Sequence, residues 1–265
     1  MLGSLSLKID NIRILTLLVF TALCISSTSL VIDHIPSPTE KIPTENFVSI
    51  DITKSISPIF CDTGIDCEES VVIEASQGSG LAFQTIGEDT YIMSASHLCE
   101  NAIYDTKQVE SLKDSMINVD IKILVKDFYG NPWEAEIIDY EPSTDLCLLK
   151  SEMPRVKRVK LADSLPDPGE RVYAISAPLS IRANGAVPHF EGIFSGCDPW
   201  DTCFYTIPAT FGSSGSLILN SEYEIVGMIQ AADPRFPTMS IGVSIVSIRD
   251  FLDNSASKGK LKISN

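Results

Sequence analysis

An all-β fold is what this sequence predicts, and three observations carry it. Short apolar runs of period two recur from residue 71 onward. Gly, Pro, Asn and Asp fall between them at turn positions. Helical character is confined to a polar stretch at 100–115 and a C-terminal one at 247–252. With 265 residues and 44% hydrophobic content the chain can bury a sizeable core. The pattern is that of a sandwich or barrel.

At the N-terminus, Lys8 and Arg13 precede an uncharged run at residues 14–32, apolar most densely over 14–25. A basic flank before an apolar run fits an export signal. Nineteen uncharged residues are also long enough to anchor the chain in a bilayer, but Thr16, Thr21 and the Ser/Thr cluster at 26–29 weaken that alternative. The favoured reading is a signal peptide at 1–29 and an exported, secreted or periplasmic protein, with membrane attachment only if 14–32 is retained. Cys24 does not fit lipidation, since Leu23 stands where a small residue is needed. Residues 30–69, with Pro36, Pro38, Pro43 and Pro58, read as a linker or extended arm.

Ile117, Val119, Ile121, Ile123 and Val125 alternate with Asn118, Asp120 and Lys122, which makes a half-buried strand. Gly130-Asn131-Pro132 turns into a run over 133–140 where Trp133, Ala135 and Ile137 share a face, so a hairpin is expected. The polar stretch at 100–115 reads as a helical insertion. The second half repeats the alternation at residues 172–176, 190–195, 203–207, 216–219, 225–231 and 240–243, six candidate strands that suit a closed barrel. Ser247 is placed to cap a final helix through Leu252, and 254–265 reads as a polar tail.

Three segments carry residues suited to acyl transfer. Tyr91-Ile92-Met93-Ser94-Ala95-Ser96-His97 ends an apolar run on a histidine, and Asp145-Leu146 opens another. Phe211-Gly212-Ser213-Ser214-Gly215-Ser216 sets a serine on a glycine-flanked turn before Leu217-Ile218-Leu219. A serine hydroxyl is a weak nucleophile at neutral pH and needs an imidazole to take its proton and a carboxylate to orient that imidazole. His97, Asp145 and Ser214 fill those roles, and the glycine turn lets the backbone N–H groups of Gly212 and Ser214 converge on an oxyanion. Of the other histidines, His34 lies in the Pro-rich arm and His189 follows Pro188 in a loop-like stretch. The order His, Asp, Ser disfavours an elbow-type α/β-hydrolase, in which serine comes first.

Together these segments resemble the motifs of a chymotrypsin-fold (trypsin-like) serine protease, most closely the Deg/HtrA branch. Ser94-Ala95-Ser96-His97 resembles (S/T)-A-x-H, Ser143-Thr144-Asp145-Leu146-Cys147-Leu148-Leu149 resembles T-D-L-A-L-L, and Gly212-Ser213-Ser214-Gly215-Ser216 resembles G-N-S-G-G. Gly78-Ser79-Gly80-Leu81-Ala82-Phe83 and Ile225-Val226-Gly227-Met228 extend the match, which covers about residues 71–252. The resemblance implies two six-stranded antiparallel β-barrels, about 70–152 and 160–246, with the active site in the cleft between them and a short C-terminal helix. It implies a serine endopeptidase acting on a protein or peptide substrate without cofactor or metal. The PDZ module that Deg/HtrA proteins often carry has no counterpart after 253. Ser213 replaces the aspartate that receives the new N-terminus in chymotrypsin-type zymogens, so activation by N-terminal insertion is not expected. Ser216 replaces the second glycine, which keeps open a different class, a protease-like binding or scaffold protein that does not cleave. By the same resemblance Pro208, six residues before Ser214, forms the base of the pocket for the side chain preceding the scissile bond, with Gln230, Ala231 and Ala232 as walls. Nothing acidic stands at 208, so a small or medium apolar side chain is expected there rather than Lys or Arg.

Six of the seven cysteines follow Cys24. Cys61 and Cys67, like Cys197 and Cys203, are separated by five residues, and each pair can staple a short loop in an exported protein. Cys99 and Cys147 lie two positions after His97 and Asp145; a third bridge is open, and two buried thiols at least equally so. No C-x-x-C or histidine cluster accompanies them, so zinc is not expected. Asp198 and Asp201 fall short of calcium's six to eight oxygens and read as solvated charge, with Trp200 beside them as an exposed contact residue. A formal charge of −15 argues against nucleic acid, and the basic run at 155–160 reads as the solvated face of a strand.

Overall fold

A computed structural model describes residues 41–58, 71–100 and 117–262. The expectations for the N-terminal segment, for Cys61 and Cys67 and for residues 101–116 lie outside the described residues. Twelve strands are described, and they close into two antiparallel barrels. The first contains β1 (Phe47–Pro58), β2 (Val71–Ile86), β3 (Asp89–Ala95), β4 (Ile117–Lys126), β5 (Pro132–Glu141) and β6 (Leu146–Ser151). β7 (Arg171–Ile175), β8 (His189–Cys197), β9 (Thr202–Tyr205), β10 (Leu217–Leu219), β11 (Ile225–Ala232) and β12 (Ser240–Ser244) make the second. Neighbours run β1-β2-β3-β6-β5-β4 in one and β7-β8-β9-β12-β11-β10 in the other, the same order twice. Two six-stranded barrels and a C-terminal helix (Ile245–Ser257) are thus present as expected.

Closure pairs every strand on both sides and removes exposed sheet edges. β5 shows the outward alternation plainly: Pro132, Glu134 and Glu136 are exposed while Trp133, Ala135 and Ile137 between them are half-buried. β3 shows none, because Thr90 through Ala95 are all buried. One of its faces lines the barrel and β11 of the second barrel lies against it. Burying a side chain such as Ile92 or Met93 contributes about 1.5–3 kcal/mol.

Several expectations change. The arm at 30–69 contains a barrel strand: Val48, Ile50 and Ile52 are buried, Ser49, Asp51 and Thr53 less so, and β1 pairs with both β2 and β4. The prolines obscured this period-two run, yet Pro43 lies before the strand and Pro58 only ends it, where a missing N–H costs little. The first barrel therefore begins at Phe47, not near residue 70. The basic run at 155–160 is not a strand but an extended crossing between barrels, held where Asn46 Nδ2 donates to the Lys157 carbonyl (2.6 Å) and Val159 N to the Phe83 carbonyl (2.9 Å). Its charges face solvent. His189 opens β8 rather than lying in a loop, with Nε2 3.0 Å from Thr44 Oγ1, and burial lowers its pKa.

The final helix starts three residues earlier than expected. Ser244 is its N-cap, with Oγ accepting from Val246 N at 3.0 Å, and Ser247 instead donates its hydroxyl to Asp201 Oδ2 at 2.5 Å. Asp201 also accepts from Ser244 N at 3.3 Å, so this carboxylate completes the helix N-terminus rather than standing in solvent. Asp198 closes its own turn, accepting from Trp200 N and Thr202 N, both at 2.9 Å, while Trp200 is 84% exposed. Past the helix the chain returns to the first barrel. Leu261 joins the apolar cluster that includes Leu148 and Met153, and the buried Asp139 of β5 receives Ser255 Oγ and Lys260 Nζ, each at 2.8 Å.

Candidate active site

Ala95 of β3 stands opposite Leu146 of β6. A helical turn at 96–100 leaves β3 and a tight turn enters β6, so His97 and Asp145 meet at one end of the paired strands. Ser96 N donates to the Asp145 carbonyl (3.0 Å) and His97 N to Asp145 Oδ1 (2.8 Å). The carboxylate oxygens lie 2.9 and 3.1 Å from His97 Nδ1. Asp145 adopts φ 52°, a left-handed conformation that aspartate tolerates better than most residues. Two residues beyond each partner, Cys99 and Cys147 are bridged, which decides between the open readings for that pair. Cys197 and Cys203 are bridged as well. Among the described residues the one cluster of metal-ligating types is Cys197, Asp201 and Cys203; its two sulfurs are spent in that disulfide, so it offers no thiolate.

Ser214 lies on the loop entering β10. Gly212 takes φ +87°, and a Cβ there would come 2.7 Å from the Ala177 carbonyl, so glycine is required twice over. The carbonyls flanking its N–H are held: Phe211 O accepts from Leu179 N (2.6 Å) and Gly212 O from Ser79 Oγ (2.7 Å). The N–H groups of Gly212 and Ser214 have no partner among the described residues. Ser214 Oγ donates to the Gln230 carbonyl at 3.3 Å, and no hydrogen bond joins it to His97. Gln230 Nε2 donates to the Thr144 carbonyl at 2.5 Å, tying β11 to the turn that carries Asp145.

His97, Gly212 and Ser214 open on one cleft of about 820 Å³ between the barrels. Ala75, Ser76 and Gln77 of β2 line one side, and Gln230, Ala231 and Ala232 of β11 another. Pro208 is not part of this lining. Leaving β9, the chain keeps alternating, with Ile207 and Ala209 buried and Thr206 and Pro208 exposed, so Ala209 faces the cleft in place of its neighbour. Ser213 and Ser216 are fully buried and outside the lining, so neither substitution alters the cleft wall.

Sequence reading missed Ser79. Completely buried on β2, it donates to Gly212 O, accepts from Ala177 N (3.2 Å), and through its own N–H holds the Ser214 carbonyl (2.9 Å). Gly215 rests on it from the other side, where a Cβ would come 2.2 Å from the Ser79 carbonyl. The signal available was a serine between two glycines on a buried strand.

Residues 78–228 match the family model described as the trypsin-like peptidase domain. The chain belongs to this family. Among curated proteins this trypsin-like peptidase chain is similar to the serine protease Do-like HtrA of Bacillus subtilis (strain 168), 26% identical over 225 residues, which cover 79% of this chain and 45% of that protein. It spans less than half the length of that relative. Its fold is similar to the crystal structure of the serine endoprotease from Yersinia pestis, with a TM-score of 0.57 and 16% identity over 84% of this chain and 69% of that one.

Proposed function

We propose that this trypsin-like peptidase domain is a serine endopeptidase in which Ser214 attacks the peptide carbonyl, His97 moves the proton and Asp145 orients the imidazole. The observation that carries the reading is the Asp145 carboxylate set against His97 Nδ1 while Ser214 and two unpartnered N–H groups face the same cleft. Attack by Oγ passes its proton to His97 Nε2, and Asp145 stabilises the imidazolium that forms. The oxyanion is taken by Gly212 and Ser214 N–H, one such donor being worth about 10²–10³ in turnover. His97 then protonates the leaving amine, and water repeats the sequence on the acyl-enzyme. Before substrate binds, Ser214 Oγ rests on the Gln230 carbonyl, and rotation about its Cα–Cβ bond brings it to the ring; such contacts are often loose in free enzymes. Ala209, Ala231 and Ala232 offer the side chain before the scissile bond a small apolar surface, which supports the small or medium apolar preference. Proteins or peptides are the substrates, with no nucleic acid and no cofactor in the reaction. The basic and apolar N-terminal pattern supports export, with residues 14–32 as an anchor where they are retained.

The same contact of Ser214 Oγ with Gln230, away from His97, favours one competing reading, a protease-like binding protein that does not cleave. A fluorophosphonate probe applied to the full chain separates them. The expected result is labelling at Ser214 and cleavage of a peptide library by wild type but not by Ser214→Ala, with cuts after small or medium apolar residues. Labelling of a different serine, or equal cleavage by both proteins, overturns the assignment; cleavage by neither supports the binding protein.

A further inference from the structure

We infer that the cleft continues past Gly212 into a subsite for a carboxylate side chain on the leaving-group half of the substrate, with Arg182 as its cation. This rests on the peptidase reading for its direction along the substrate, though not for the binding itself. A polar hollow of about 200 Å³ shares Gln77, Ser180 and Gly212 with the main cleft and is further lined by Lys126, Arg182 and Asn184. Its one acid is Asp51, and both of that carboxylate's oxygens are engaged: Oδ2 lies 2.6 Å from Lys126 Nζ, and Oδ1 accepts from Gln77 Nε2 at 3.0 Å. Arg182 is half-buried and has neither ion pair nor hydrogen bond among the described residues. In a chain of formal charge −15, this hollow of net positive charge opens beside the oxyanion amides.

Arg182 does not hang from a loose loop. Ile181 N donates to the Pro178 carbonyl, Ala183 and Ala186 exchange hydrogen bonds, and Gly185 N reaches across to the Phe128 carbonyl of the first barrel, all at 2.9 Å. Ser180 Oγ also donates to Gln77 Oε1. The backbone that carries Arg182 is thus held while its guanidinium stays unpaired among the described residues, and a guanidinium matches a carboxylate through two parallel N–H bonds, which an ammonium cannot reproduce. Direction follows from the walls. With the side chain before the scissile bond against Gln230–Ala232 and the carbonyl at Gly212 and Ser214, the residues after the bond pass over Gln77 toward Arg182. An acidic residue within the first three leaving-side positions then reaches the guanidinium.

Two measurements test this. Peptides with Glu, Gln or Lys at each of the first three leaving-side positions are assayed for cleavage by the full chain and by Arg182→Gln and Arg182→Glu. The expected kcat/KM favours Glu over Gln by about fivefold at one position, the scale of a partly exposed ion pair. The preference disappears in Arg182→Gln and turns toward Lys in Arg182→Glu, while an ester lacking leaving-side residues is hydrolysed alike by all three. Affinities of the same peptides are also measured on Ser214→Ala and Ser214→Ala/Arg182→Gln. A Glu preference that depends on Arg182 supports the subsite even where nothing is cleaved, an outcome that would instead overturn the peptidase reading. Equal affinity for Glu and Gln peptides, or a preference that survives Arg182→Gln, overturns the subsite.

Discussion

The two barrels share a strand order but hold their parts of the site by different means. The first presents His97 and Asp145 from paired strands, β3 and β6, with a disulfide just beyond them. The second presents Ser214 from a loop steadied by the other barrel, through the hydroxyl and N–H of Ser79. One half is set within a single sheet, the other across an interface. A disturbance of that interface therefore reaches Ser214 and the Gly212 N–H before it reaches the His97–Asp145 pair.

Breaking the cross-barrel contact should have the largest effect on turnover. Ser79→Ala leaves Gly212 O and Ala177 N without their buried partner, and kcat is expected to fall about 10²-fold with little change in KM. A peptide boronate, which mimics the tetrahedral state, should lose affinity in step, while peptide binding to Ser214→Ala/Ser79→Ala matches Ser214→Ala. A lower melting temperature with kcat intact would make Ser79 a packing residue and no more.

On stability, the covalent tie should have the largest effect. Cys99–Cys147 closes a sequence separation of 48 and Cys197–Cys203 one of 6, so the chain-entropy model gives about 4 and about 2 kcal/mol respectively. Urea unfolding of Cys99→Ser/Cys147→Ser and Cys197→Ser/Cys203→Ser should rank them in that order; the reverse ranking breaks the comparison.

Acid sharpens the contrast with the smallest effect. Burial alone raises the Asp139 carboxyl, but hydrogen bonds from Lys260 and Ser255 and the charges of Lys260 and Lys258 hold it below its ordinary 3.8. Asp127 is likewise raised by burial yet held low overall by its bonds to Asn131, Trp133 and Tyr129. Such groups bind protons more readily unfolded, so their stabilisation is complete above pH 3.8 and lost as pH falls through the lower folded value. Both belong to the first barrel. Trp133 and Trp200, one in each barrel, report separately, and Trp133 emission should respond first below about pH 4, with Lys260→Ala flattening that response. Simultaneous change at both tryptophans would show that the barrels share one acid response.

Strands were legible where turn residues bracketed them, which is why all six of the second barrel were anticipated within a few residues. β1 was hidden because prolines nearby outweighed the alternation of Val48, Ile50 and Ile52. The meeting of His97 and Asp145 could be anticipated because each adjoins a strand end, and strand ends pair. Ala209 could not, since its inward direction depends on where β9 stops alternating. Ser79 and Asp201 were missed for a related reason: their partners lie more than 40 residues away, and local pattern carries no information on such contacts.

The return of the chain onto the first barrel bears on how the molecule matures during synthesis. β1 through β6 leave the ribosome as a complete set of strands, yet Asp139 is then a carboxylate still lacking Ser255 and Lys260, its partners near the other end of the chain. Until the second barrel has been made and the segment around Leu261 has followed, the nascent first barrel carries a carboxylate without its partners and an uncovered apolar face. The last turn of helix and the few residues after it thus act as a latch, and assembly of the site waits on their docking rather than on the closing of either barrel alone.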